Sequence, residues 1–179
     1  SSLEQLTHSH AVEIHWHSYE LRPKGAPPIS PEYLARIQEG RPRLYAIARE
    51  NYGLELKPGP FGIDTRPALI GAKYAEAQNL GAAYHDRIMQ AYWQQEAKLD
   101  DLEQLATLAQ DAGLDRQEFQ AALSDPTYDQ QVQEDIDTAA SYGLSGVPAL
   151  VFDNKYLVSG AQPLNVLQQV LSQIEKQRT

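Results

Sequence analysis

The sequence predicts an α/β protein in which a long all-helical block interrupts a small strand-containing unit. Three observations carry this reading. Ala11–Leu21 alternates polar and apolar residues with period two. Pro31 to Tyr142 shows helical spacing throughout, divided by Pro/Gly loops. The tail then turns to short apolar runs, Ala149–Phe152 and Tyr156–Ser159, before one last amphipathic helix. The expected order is helix end, strand, helical block, strand, strand, helix. Residues 1–30 and 143–179 form a discontinuous strand-containing domain, and residues 31–142 form the insertion.

Each element has a local reason. Leu3 and Leu6 stand at helical spacing and read as the last turns of a helix whose beginning is missing. A short amphipathic starter helix is the other reading. In Ala11–Leu21 the residues Val12, Ile14 and Trp16 share one face, and Glu13, His15, His17 and Tyr19 share the other. Arg22–Pro31 holds four prolines and a glycine and is a loop. Ser30 caps a helix opened by Pro31. Gly40 and Pro42 are expected to divide it near Glu39, and Asn51-Tyr52-Gly53 ends it. Leu56–Ile63 is a second loop. Asp64 or Thr65 caps a helix running to about Gln78. Further helices are expected over Ala82–Gln95, over Leu99–Ala112, from Asp115, which has capping-box spacing to Glu118, and from Asp125-Pro126 to Gly143. Ala149–Phe152 reads as a buried strand, Asp153–Lys155 as a turn and Tyr156–Ser159 as its partner. The last helix carries Leu164, Leu167, Leu171 and Ile174.

Composition excludes several function classes. The 179 residues hold 15 Lys plus Arg against 24 Asp plus Glu, a formal charge of −9. That argues against binding a phosphate backbone, so no nucleic-acid partner is expected. It also argues against an anionic membrane surface, and no apolar run approaches the ~20 residues of a span. The sequence has no cysteine, so disulfides, thiolate metal sites and a cysteine nucleophile within these residues are excluded. His15 and His17 share a strand face, and His8 and His10 are close in sequence, but a zinc site needs more ligands. No metal site and no bound cofactor are expected. His85 and Asp86 are adjacent on a helix and do not face each other. Arg66, in a first helical turn, has two readings, a partner for an anion or, the favoured one, a solvated arginine, and Tyr84, Tyr92 and Trp93 read as mostly core.

The segment Gly143-Leu-Ser-Gly146-Val147-Pro148-Ala-Leu-Val-Phe152 is the most informative. A proline cannot donate a ladder bond and belongs at a strand's first residue. An X-Pro bond at so tight an approach is a candidate cis bond. That arrangement would turn the Val147 backbone outward, toward an extended peptide or a thiol ligand. In the loop Leu56–Ile63, Phe61-Gly62 has two readings. Gly62 allows close backbone approach near a site, or the turn leads into the next helix with Phe61 as a hydrophobic staple.

Taken in order, the helix, the Gly-Val-Pro, the strand, the Asp-Asn-Lys turn, the second strand, the Ser-Gly-Ala-Gln-Pro and the final helix resemble the C-terminal half of a thioredoxin fold. The helical block resembles the insertion of the DsbA family. VEIHWHSYELRP, PGPFGIDTRPALIGAKYAEAQ, AYHDRIMQAYWQQ and GVPALVFDNKYLVSGAQP resemble its FrnE-like branch. The resemblance implies a thioredoxin-like fold with a DsbA-like helical insertion and a thiol–disulfide oxidoreductase or isomerase. It implies Pro148 as the cis-proline of the active-site loop, with Gly146, Val147, Pro148, Phe61 and Gly62 binding substrate. It also implies a first strand and a Cys-x-x-Cys at a helix N-terminus, where a thiolate has a lowered pKa and attacks a disulfide. Neither is in these residues, so the chain as given is expected to be inactive, with the redox pair upstream. Substrates would be proteins or small thiols and disulfides, with glutathione a possible co-substrate. A monomer or homodimer in the cytoplasm is expected. Two alternatives stay open. Kappa-type glutathione transferases and 2-hydroxychromene-2-carboxylate isomerases share the insertion and use a serine in place of the first cysteine. A non-catalytic module would keep the peptide-binding edge without the thiols.

Overall fold

The computed structural model describes residues 2–178. Eight helices and one hairpin follow one another. They are α1 (Ser2–Ser9), α2 (Pro31–Tyr52), α3 (Arg66–Ala77), α4 (Gly81–Gln95), α5 (Leu102–Asp111), α6 (Arg116–Ala122), α7 (Pro126–Ser141), β1 (Ala149–Phe152), β2 (Tyr156–Ser159) and α8 (Leu164–Arg178). The chain forms two compact units. One comprises the described residues up to Leu21 together with those from Asp135 onward, and the other is Arg22–Glu134. The fold is mostly helical with a small two-stranded sheet.

In the first unit, β1 and β2 pair antiparallel with Ala149 opposite Ser159 and Phe152 opposite Tyr156. The turn forms because Asp153 and Asn154 both accept positive φ, at 53° each, which this hairpin geometry requires and Asp and Asn tolerate. The Lys155 N–H donates to the Phe152 carbonyl at 3.0 Å. All four β1 residues are half-buried rather than buried as expected, because a two-stranded sheet has few neighbours to cover its faces. α1 packs on α8, with Leu6 2% and Leu167 1% exposed. The Tyr156 hydroxyl donates to the Gln177 side chain and ties β2 to α8.

Ala11–Leu21 is not a strand. It is irregular, and no ladder partner pairs with it among the described residues. Its alternation is real at Val12 and Ile14, which are half-buried between exposed neighbours, but Trp16 is 56% exposed. A period-two pattern makes a strand only where another strand supplies hydrogen bonds. Side-chain anchors hold this segment instead.

The second unit is built on a core of α3, α4, α5 and α6. Phe119, Leu105, Ala75, Ala91, Ala106 and Ala109 are fully buried. Phe119 sits between Tyr84 and Tyr74, with ring centroids 5.7 and 6.1 Å away. Gly71 of α3 is obligatory here. A Cβ on it would lie 2.6 Å from Phe119 Cζ and 2.6 Å from the Tyr84 hydroxyl. Tyr84 donates to the Ala68 carbonyl at 3.2 Å, and burial pushes its pKa well above the usual phenol value. Three helix starts follow the capping rules, whereas Thr65 before α3 and Leu80 before α4 make no side-chain cap bond. Asp101 accepts from the Glu103 and Gln104 N–H groups, Asp115 from the Glu118 N–H, and Asp125 from the Thr127 N–H. The last bond holds the Asp125 carboxyl below its usual range.

α2 corrects a second expectation. It runs unbroken for 22 residues through Gly40 and Pro42. Ser30 caps its start by accepting from the Tyr33 N–H, and Gly53, at φ 65°, caps its end. A proline inside a helix removes one hydrogen bond and crowds one carbonyl. A two-capped helix of this length accommodates that local loss.

Candidate substrate-binding site

The first unit carries the Gly146-Val147-Pro148 loop. The Val147–Pro148 peptide bond is cis. The Pro148 carbonyl accepts the Gly160 N–H at 2.8 Å, which extends the hairpin by one rung and fixes the loop to β2. Gly160 can take its place because φ is +80° there, and Gln162 Nε2 closes the turn by donating to the Ser159 carbonyl at 2.8 Å. Val147 is 48% exposed. No hydrogen bond to the described residues engages its N–H or C=O. A Cβ on Gly146 would meet nothing within 4 Å. The loop thus presents one apolar side chain and an unused backbone donor and acceptor on an open flank. Such an edge suits an extended peptide, which binds through main-chain hydrogen bonds.

The same unit holds a pair that sequence reasoning missed. His17 Nδ1 lies 2.6 Å from Asp135 Oδ1, and the Ser18 N–H donates to Asp135 Oδ2 at 2.7 Å. The carboxylate is nearly buried, whereas the imidazole is largely exposed. Asp135 therefore anchors the Ala11–Leu21 segment at two points. The residues are 118 positions apart, so no local pattern announces the pairing. His15 faces Glu13 at 3.3 Å on the surface. No group of acidic and histidine residues suited to a metal ion occurs among the described residues.

Phe61 and Gly62 belong to the second unit. Their loop is fixed to α4 by the Lys57 N–H, which donates to the Trp93 carbonyl at 2.7 Å, and by the Tyr92 hydroxyl, which donates to the Pro60 carbonyl at 3.0 Å. Gly59, not Gly62, makes the close approach, since its Cβ would lie 3.1 Å from the Tyr92 carbonyl oxygen. Gly62 turns the chain at φ +69°. Phe61 is 43% exposed and does not act as a staple. The Arg41 guanidinium lies 4.3 Å from the centre of its ring, a cation–π contact. A cleft of about 490 Å³ opens here, lined by Arg22, Lys24, Ile29, Leu34, Phe61 and Ile63 among others. Its lining is mostly apolar, with Arg22, Lys24 and Asp64 as its charged members. Arg22 also donates to the Pro27 carbonyl and braces the 22–28 loop.

Arg66 is not solvated as expected. Its Nε donates to Asp129 Oδ1 at 2.7 Å and its Nη2 to the Asp129 carbonyl at 3.0 Å, bracing α3 against the start of α7. Tyr84 is core, but Tyr92 is half-buried and Trp93 lies 36% exposed. Tyr74 donates to Glu118 at 3.1 Å. Burial, with help from that carboxylate, pushes the Tyr74 phenol up to about 12. No helix among the described residues is long and apolar enough to cross a membrane.

Comparison with known proteins agrees with this arrangement. A probable DsbA oxidoreductase from Streptomyces coelicolor has a similar solved structure, with a TM-score of 0.84 and 32% identity over 99% of this chain and 82% of that one. A 2-hydroxychromene-2-carboxylate isomerase is similar at a TM-score of 0.75 and 26% identity, over 98% of this chain and 88% of that one. The uncharacterized protein YwbO of Bacillus subtilis (strain 168) is 26% identical across 99% of this chain and 90% of its own length. Residues 1–172 match the DSBA-like thioredoxin domain, and the chain belongs to that family.

Proposed function

We propose that the chain serves thiol–disulfide exchange on peptide or small-thiol substrates, as a DsbA-type oxidoreductase or isomerase of FrnE-like character. In this reading the 179 residues furnish the substrate-binding edge and none of the exchanging thiols. The observation that carries it is the Gly146-Val147-Pro148 loop, with an exposed valine and an unused backbone donor and acceptor. A substrate lies extended along Val147. An attacking thiolate forms one S–S bond with a substrate sulfur while the other sulfur leaves as thiolate, and a second thiol resolves the mixed disulfide. With no cysteine in the sequence, both thiols must come from outside these residues, and the chain alone performs no exchange. Phe61 and Gly62, with their cleft, are the second region assigned to substrate.

The absence of cysteine, together with the likeness to a 2-hydroxychromene-2-carboxylate isomerase, favours one alternative, a glutathione-dependent enzyme with a serine in the role of the first cysteine. Intact mass of the protein purified from its source, after denaturation, reduction and thiol alkylation, separates the two. A mass above 20.0 kDa with two alkyl groups supports the oxidoreductase. A larger mass without alkylation, accompanied by glutathione affinity, supports the serine-type enzyme. A mass of 20.0 kDa without alkylation rules out exchange by this protein.

A further inference from the structure

We infer that the exposed face of α2 is a self-association surface, on which a second copy of this chain docks its own α2 in antiparallel register. The inference is independent of the function proposed above. α2 has 22 residues, and Ala48 is its only buried one. Leu34, Arg41, Tyr45 and Ala48 form one stripe, and they are half-buried or buried. A second stripe runs beside it through Tyr33, Ile37, Gly40, Leu44, Ile47 and Asn51, at spacings of 4, 3, 4, 3 and 4 residues. This is the heptad spacing of a helix–helix seam. Tyr33 is 49%, Leu44 44% and Ile47 41% exposed, and Ile37 is half-buried.

The seam is its own complement. A two-fold contact requires that if residue i meets residue j, then j meets i. With Gly40 on the axis, Tyr33 meets Ile47 of the second copy and Ile37 meets Leu44, each pair occurring twice. The paired numbers add to 80 or 81 throughout. A Cβ on Gly40 would meet nothing within 4 Å, so the axis position is bare and two backbones can approach closely there. Charge agrees in sign. Pro31–Gly40 carries Glu32, Arg36 and Glu39, a net negative half. Arg41–Tyr52 carries Arg41, Arg43, Arg49 and Glu50, a net positive half. Antiparallel docking sets the halves against each other and places Glu39 beside Arg43 of the second copy. Arg36 also approaches that arginine, which weakens the contact.

Size sets the expected strength. A helix of this length is about 33 Å long, and a strip of that length and about 10 Å width buries several hundred Å² per copy, below the standard interface. An interface of that size belongs to the weak, transient class, so association is sought at high concentration. Sedimentation of the full chain to about 100 μM should show twice the protomer mass, and Leu44→Glu or Ile47→Glu should return it to a single mass with unchanged circular dichroism. Because the chain has no cysteine, Gly40→Cys gives a second reading. Mild oxidation should cross-link it at the axis, and Ala35→Cys, off the seam, should not. A chain that stays single at that concentration overturns the inference. So does a dimer unaffected by the glutamates, or one in which Gly40→Cys links no better than Ala35→Cys.

Discussion

Replacing Gly71 by alanine tests the packing of the helical unit, because two large effects oppose each other there. In an exposed helix interior, alanine is favoured over glycine by about 1 kcal/mol. At position 71 the new methyl would lie 2.6 Å from Phe119 Cζ and 2.6 Å from the Tyr84 hydroxyl. Carbon contacts are comfortable only at about 3.5–4.0 Å, so each ring must retreat by roughly 1 Å. Neither has room. Phe119 is 0% and Tyr84 1% exposed, and Tyr84 is tied to the Ala68 carbonyl. Overpacking of this kind costs about 1–3 kcal/mol, and the upper end applies where two rigid rings are hit at once. The expected net result is a loss of about 1–2 kcal/mol after the helix gain, some 2–8 °C in Tm for a chain of this size. Gly40→Ala in dilute solution is the matched control. Its methyl meets nothing within 4 Å, and it should be neutral or stabilising by up to about 1 kcal/mol. Urea and thermal unfolding of both variants decide the matter. Gly71→Ala with unchanged or raised stability refutes the packing account.

Other consequences are smaller but equally specific. Asp135→Ala removes the carboxylate that receives His17 and the Ser18 N–H and should cost about 1–3 kcal/mol by urea unfolding. His17→Ala leaves the carboxylate its Ser18 N–H bond and should cost less than Asp135→Ala, about 1 kcal/mol. Asp115→Ala and Asp101→Ala each remove an N-cap and should lower stability by about 1 kcal/mol. Alkaline titration by tyrosinate absorbance should find Tyr74 ionising near 12 rather than 10, and Tyr74→Phe should remove one phenol from that high range and leave the titration near 10 unchanged. Because its folded pKa is raised, the stability it contributes is full below pH 10 and is lost as pH rises toward 12.

Local chemistry explains which parts of the fold were legible. The hairpin bounds, the Asp115- and Asp125-capped helix starts and the final helix depend on neighbours in sequence, and such signals are read directly, whereas the helix expected from Leu99 starts only at Leu102, behind an Asp101 cap that the sequence reading did not single out. Ala11–Leu21 misleads because alternation specifies a face and not a partner. α2 misleads because Gly40 and Pro42 are strong breakers that an exposed, doubly capped helix tolerates. The site is legible in the same proportion. Gly146-Val147-Pro148 stands out as a proline before an apolar run. The His17–Asp135 pair, the Arg66–Asp129 brace and the Arg41–Phe61 contact join residues 20 to 118 positions apart, and one sequence carries no sign of them.

Backbone NMR of the 179-residue chain, titrated with an extended cysteine-containing peptide with and without reductant, tests the proposed substrate-binding edge most directly. The account predicts that the Gly146, Val147 and Gly160 amides shift on binding, equally with and without reductant, and that no mixed disulfide forms. Peptide binding that leaves the Val147 amide unmoved, or that disappears when reductant is added, contradicts it.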